Sequence, residues 1–314
     1  MMDWIYTLVG LVILLLAGDS LVKGAVNMSL RLGVPALIVS LTIVAFGTSA
    51  PELLISVQAI LEGVPGIALG NVVGSNTANI LLVLGVPALL ATMHTSECNT
   101  RKSFLQMIAA TVLFIILCFR GDFDWIAGLI LLTALAAMLG HAMLEVKRHR
   151  DAAPDEEEEV EGADPNLGWG KILLFLGLGL IGLPIGADLL VDGASNIART
   201  FGISDTVIGL TLVAIGTSLP ELATTVMAAL RRQADVALGN VIGSNMFNLL
   251  GIMGVASLVG TIPVDPQFHR FDLWIMLGAS LALIPFVFFR QDITRIWGIA
   301  LSLAYIAYLV VVLA

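Results

Sequence analysis

Residues 19–85 return as residues 188–254 at a fixed offset of 169 with no insertion, and 31 of the 67 aligned pairs are identical. The densest matches are Gly47-Thr48-Ser49-Ala50-Pro51-Glu52-Leu53 with Gly216-Thr217-Ser218-Leu219-Pro220-Glu221-Leu222, and 68–76 with 237–245. Apolar composition alone yields matches among Leu, Val, Ala and Gly. It does not bring Thr, Ser, Pro, Glu and Asn back in register. The chain is a duplication, and its fold must be built twice from one unit.

The unit belongs in a membrane. Of the 314 residues, 58% are hydrophobic and 12% charged, where a soluble domain carries about 25% charged residues. Stretches 5–16, 104–119, 125–139, 171–183, 273–289 and 296–314 are nearly free of charge. Each approaches the roughly 20 residues that cross a hydrocarbon core. Their apolar pattern is continuous rather than alternating, and lipid demands internally closed backbone hydrogen bonds, so the segments are helices.

Segmentation predicts five spans per half: 4–31, 34–61, 66–91, 103–120 and 124–146, then 170–199, 204–230, 235–260, 271–290 and 293–313. An odd number inserts the second half upside down. The expected fold is an all-α integral membrane protein of ten transmembrane helices, two inverted five-helix repeats with broken helices at the midplane. Residues 1–147 form the first repeat, 148–167 an acidic cytoplasmic linker, and 168–314 the second repeat. In the linker Asp151, Asp155, Glu156, Glu157, Glu158, Glu159, Glu161 and Asp164 carry much of the formal net charge of −9. It reads as a solvated tether, with a regulatory calcium-binding role as the alternative.

Orientation follows from basic residues. With the N-terminus outside, Arg31, Arg101, Lys102, Lys147, Arg148, Arg150, Lys171, Arg231, Arg232, Arg290 and Arg295 gather on the inner side, against Arg120, Arg199 and Arg270 outside. Both termini then face out of the cell membrane and the acidic loop faces the cytoplasm. Asp3, with no Lys or Arg ahead of the first apolar run, makes that run a retained span rather than a leader. Cys98 and Cys118 form no CxxC and read as free thiols.

Chemistry concentrates in the second and third spans of each half. Glu52 and Glu221 fall near the middle of predicted helices, where a carboxylate costs about 2.5–3.5 kcal/mol on insertion scales. A buried protonated or capping Glu accounts for one such residue and poorly for a repeat-related pair. Pro51 and Pro220 cannot donate to the carbonyls of Gly47 and Gly216, so each breaks its helix and frees main-chain oxygens. Thr48 shares a helix face with Glu52, and Thr217 with Glu221. Carboxylate, hydroxyl and carbonyl oxygens are the ligands of hard cations such as calcium and sodium. Broken helices at matching positions of two halves also mark transporter binding sites.

Ser75 and Asn79, like Ser244 and Asn248, are four residues apart and add neutral oxygen ligands. Asn71, Asn76, Asn240 and Asn245 lie off that face and read equally as interhelical glue or as ligands. His94, His141, His149 and His269 are scattered, which argues against a zinc or copper centre. Two carboxylates are neutralised by one divalent or two monovalent cations, and competition between those fillings is exchange.

The doubled Gly-Thr-Ser-x-Pro-Glu and Gly-Asn-x-x-Gly-Ser-Asn blocks resemble the two α-repeats of the sodium/calcium exchanger family, over essentially all the spans. The resemblance implies ten helices and antiport of calcium against sodium. It implies Glu52 and Glu221 as central ligands, with Thr48, Ser49, Thr217, Ser218 and the carbonyls of Ala45 and Ala214 lining the calcium and sodium sites. Ser75, Asn79, Ser244 and Asn248 complete the set. It further implies that the first and sixth spans slide over a rigid remainder, with Asp19 and Asp188 forming polar links there. Some relatives, including the potassium-dependent branch, carry Asp where this chain has Asn248, which argues against potassium co-transport.

A calcium/proton antiporter with the same site is the alternative, and a cation channel a more distant one. No HExxH, no Gly-x-Ser-x-Gly with a partner His and no phosphate loop is present, so the chain is read as a non-enzyme. Its expected partners are inorganic cations and the lipid bilayer. No cofactor, nucleic acid or obligate protein partner is called for.

Overall fold

The computed structural model describes residues 2–152, 164, 166–202 and 214–313, and these residues are overwhelmingly helical. The first half contains α1 (Met2–Leu32), α2 (Ala36–Thr48), α3 (Ala50–Leu61), α4 (Gly66–Leu90), α5 (Arg101–Arg120) and α6 (Trp125–Ala152). The second contains α7 (Trp169–Thr200), α8 (Ala214–Gly216), α9 (Leu219–Leu230), α10 (Ala234–Val259), α11 (Asp272–Phe288) and α12 (Arg295–Leu313). Each helix of the second half is the repeat of the one numbered six lower.

Among the described residues seven helices are long and apolar enough to cross a membrane. The bent pair α2–α3 makes an eighth span, while α9 and α11 are shorter apolar helices. The segment predicted to begin the seventh span, 204–213, and most of the linker, 153–163 and 165, lie outside the described residues. Helix α6 runs to Ala152, past residue 147 where the sequence places the end of the first repeat. Large apolar side chains such as Leu8, Leu16, Phe119, Trp125, Leu178 and Ile299 face outward, as lipid requires and water does not.

The repeat governs packing as well as sequence. Helices α1 and α7 lie antiparallel along a seam of small residues. A Cβ on Gly10 would meet Leu190 at 2.5 Å, one on Gly179 would meet Leu21 at 2.5 Å, and one on Gly193 would meet Thr7 at 2.5 Å. Gly10 and Gly179, Ala17 and Gly186, and Gly24 and Gly193 are repeat partners seven residues apart, so the seam is two turns of helix per step.

The two halves interlock through their third spans. Helix α4 packs on α11 and α12 of the other half, and α10 packs on α5 and α6. Gly85 backs onto Gly298, and Gly254 onto Gly128 and Leu132. Short backbone bridges close the loops in the same exchanged manner, with Met93 paired to Ile293 and Phe123 to Ile262. Helices α4 and α10 are consequently the most enclosed spans, and the polar residues they carry are shut away from lipid.

Candidate functional site

Both predicted breaks are present. Helix α2 ends and α3 begins at Ser49, whose backbone (φ −84°, ψ 3°) leaves the helical region, and the axes bend by 41°. Ser218 does the same in the second half (φ −89°, ψ 4°). Pro51 and Pro220 occupy the first turn of the helix that follows, the position where the missing N–H has no intrahelical partner to lose. The proline therefore starts a new helix, and the glutamate one residue later sits in that helix's first turn.

Glu52 is 1% exposed and Glu221 is fully buried. Ser49 Oγ donates to Glu221 Oε1 over 3.2 Å, and Ser244 Oγ donates to the same oxygen over 3.4 Å. The carboxylate of the second half is thereby held at the helix break of the first, at Ser49, three residues before Glu52. The two acids converge on one enclosed locus.

Two repeat-related amides brace the breaks. Asn71 Nδ2 donates to the backbone carbonyl of Glu52 (3.2 Å) and to Ser56 Oγ (3.1 Å). Asn240 Nδ2 donates to the carbonyl of Glu221 (3.4 Å) and to Thr225 Oγ1 (3.2 Å). Asn240 also accepts from Thr48 Oγ1 at 3.3 Å, and Thr48 lies 3.4 Å from Ser244 Oγ. One amide thus ties both halves together beside the carboxylates.

One asparagine in each of α4 and α10 sits in a widened helical turn. Val83 N donates to Ala78 O, five residues back, at 2.9 Å, and the repeat of that turn is a π-helix at Phe247–Ile252. Such π-turns cluster at functional sites because they re-aim side chains. Here the turns carry Asn79 and Asn248. Asn79 Nδ2 donates to Asn245 Oδ1 (3.0 Å), and Asn245 Nδ2 reaches Asn76 O (3.4 Å). Asn76 approaches Met276 Sδ and Asn245 approaches Met107 Sδ, both at 3.8 Å.

Every predicted site side chain except Thr217 and Ala214 is buried: Ala45, Thr48, Ser49, Glu52, Ser75, Asn79, Ser218, Glu221, Ser244 and Asn248. Thr217 is partly buried, and Ala214 is described by its backbone in α8. The Ala45 carbonyl accepts from Ser49 N (3.1 Å) and lies 3.3 Å from Thr48 Oγ1. The buried side-chain atoms without a hydrogen-bond partner concentrate here: both oxygens of Glu52, Glu221 Oε2, Asn79 Oδ1, both polar atoms of Asn248, and Ser218 Oγ. Buried polar groups in folded chains are otherwise almost always paired. The oxygens among them, three of them carboxylate, are the kind of ligand a hard cation takes, whereas Asn248 Nδ2 is a donor.

The predicted polar links split unequally. Asp19 binds Arg231 (Nε to Oδ1 2.5 Å) and Lys23 (3.1 Å), whereas Asp188 is exposed beside Asp192. Asn71 and Asn240, read equally as glue or ligands, brace the glutamate backbones. Met107 and Met276 went unnoticed in the sequence. They too are separated by 169 residues, so extending the repeat beyond residue 85 finds them.

Comparison with known proteins gives a consistent picture. The family model described as sodium/calcium exchanger protein matches residues 2–144 and 171–314. The putative antiporter CaxA of Alkalimonas amylolytica is 38% identical over 97% of this chain and 96% of its own length. The sodium/calcium exchanger MaX1 of Methanosarcina acetivorans is 34% identical over 98% of each chain. A solved structure of the sodium-calcium exchanger NCX_Mj superposes with a TM-score of 0.82 at 33% identity, covering 99% of this chain and 98% of that one.

Proposed function

The chain belongs to the sodium/calcium exchanger family, and from that premise we propose that it moves calcium across a cell membrane in exchange for sodium by alternating access. The observation that carries this reading is the convergence of Glu52 and Glu221 with three of their four carboxylate oxygens buried and unpaired. In a dry interior such a pair must be neutralised. One calcium or two sodium ions accomplish that, and the two fillings exclude each other.

In the proposed site Glu52 and Glu221 are the charged ligands. Thr48, Ser49, Thr217, Ser218, Ser75, Ser244, Asn79, Asn248 and the carbonyls of Ala45 and Ala214 supply neutral oxygens. Asn248 carries no charge where some relatives have Asp, so the ligand set stops at two negatives and leaves none over for a further cation. Helices α1 and α7 are the moving pair, since their close glycine seam locks the two to each other and lets them shift as one unit over the remainder. Both termini face outward and the acidic loop faces the cytoplasm, in keeping with the distribution of Lys and Arg.

Calcium uptake into proteoliposomes loaded with sodium tests the reading. Uptake should follow the outward sodium gradient and persist when a protonophore collapses the proton gradient. Uptake that needs the proton gradient and ignores sodium assigns the same site to proton coupling instead.

A further inference from the structure

Between α1 and the turn joining α9 to α10 lies a cavity of about 250 Å³, lined by Val22, Lys23, Val26, Leu230, Arg231, Arg232 and Gln233. Three of its seven lining residues are cationic. Asp19 reaches two of them, Lys23 at 3.1 Å and Arg231 at 2.5 Å, so one carboxylate is shared between two positive charges. The side chains of Lys23 and Arg231 retain 40% and 30% exposure. Arg232 is held in the turn by a left-handed backbone (φ 56°).

The duplication supplies an internal control. The repeat partner of Lys23 is Asp192, that of Arg231 is Glu62, and that of Arg232 is Gly63, while Asp19 is matched by Asp188. The same architecture therefore carries basic residues at one end of the molecule and acidic residues at the other. The cationic cluster is not a by-product of building the fold twice.

Its depth also bears on its use. Helix α1 has 31 residues, about 46 Å of helix against a hydrocarbon core of about 30 Å. Arg31 Nε donates to Leu167 O and Asn27 accepts from Asp164 N near its C-terminal end, so that end projects from the core. Lys23, about two turns before Arg31, shares Asp19 with Arg231 and so stands level with the α9–α10 turn, where the chain reverses between two apolar helices. The cavity thus joins an apolar wall of Val22, Val26 and Leu230 to a basic one, at the face where acidic lipids attract Lys and Arg.

We propose that this cavity binds the phosphate of an anionic phospholipid headgroup, with Lys23, Arg231 and Arg232 as donors and the valines and Leu230 against the glycerol and first methylenes. The lipid bridges α1 to the fixed α9–α10 turn and reinforces the Asp19–Arg231 pair in holding α1 docked. The inference goes beyond the transport reading, and its readout is lipid binding, so it stands or falls separately from calcium exchange.

The test uses the full-length protein purified from vesicles of phosphatidylcholine mixed with phosphatidylglycerol, with retained lipids counted by native mass spectrometry. Lys23→Gln and Arg232→Gln should each lower the preference for phosphatidylglycerol about fivefold, the equivalent of one charge near the surface. Lys23→Arg should restore it, and Glu62→Gln with Asp192→Asn should leave it unchanged. If both basic variants keep the parent's preference, the site is wrong. If millimolar inorganic phosphate displaces the lipid and stabilises the parent but not the variants, the lipid assignment is overturned in favour of free phosphate.

Discussion

Ser49 Oγ lies 3.2 Å from Glu221 Oε1, a hydrogen bond between residues 172 positions apart that crosses from one half of the duplication to the other. Its repeat counterpart, Ser218 Oγ, has no such partner, and neither oxygen of Glu52 is hydrogen-bonded. The two glutamates are therefore unequal despite their related origins. Glu221 is oriented by two hydroxyls, whereas in the proposed site Glu52 is left to the cation.

That inequality predicts a linkage. A ligand at one hundred times its dissociation constant stabilises a folded protein by about 2.7 kcal/mol. Saturating calcium should raise the unfolding temperature of the parent in a detergent thermal-shift assay. Glu52→Gln should unfold at a temperature indifferent to calcium while remaining folded and monodisperse. A calcium response equal to the parent's would remove Glu52 from the site.

Asn240 braces both halves at once, through the Glu221 carbonyl, Thr225 and Thr48. Asn240→Ala leaves these buried groups short of partners, at about 1–3 kcal/mol. The expected outcome is a lower unfolding temperature together with a raised KM for calcium, since the carboxylate loses its backbone anchor. A lowered unfolding temperature with unchanged KM would reduce Asn240 to structural glue.

The α1–α7 seam tolerates little. A Cβ at Gly179 would lie 2.5 Å from Leu21 Cβ and 2.8 Å from its Cα, whereas one at Gly70 meets nothing within 4 Å. Gly179→Val should therefore reduce folded yield or unfold the protein earlier, by about 1–3 kcal/mol for an overpacked contact. Gly70→Ala should be neutral or stabilising, because alanine is the better helix former. Thermal unfolding of the two purified variants compares them directly.

Much of this was legible before any coordinates. The gapless offset exposed the duplication, the apolar runs made it helical, and Pro51 and Pro220 located the breaks that bring Glu52 and Glu221 inside. What the sequence concealed were relations without a periodic signature. The π-turns at Asn79 and Asn248 depend on a single displaced hydrogen bond. The exchange of α4 and α10 between halves depends on tertiary packing. Glycines 10, 179 and 193 do repeat, but membrane helices are rich in glycine and the seam emerges only when two helices meet. The ion pair of Asp19 with Arg231 joins positions 212 apart, and the repeat obscures it because Asp188 has Glu62 where that partner would be.

In the proposed mechanism one buried site accepts either calcium or sodium. Isothermal titration of calcium into the purified protein, without sodium and then with saturating sodium, tests it most directly. Calcium binding should be saturable and abolished by sodium, and Glu52→Gln and Glu221→Gln should bind no calcium in either condition. Calcium binding of equal strength with and without sodium, or undiminished in both variants, would contradict it.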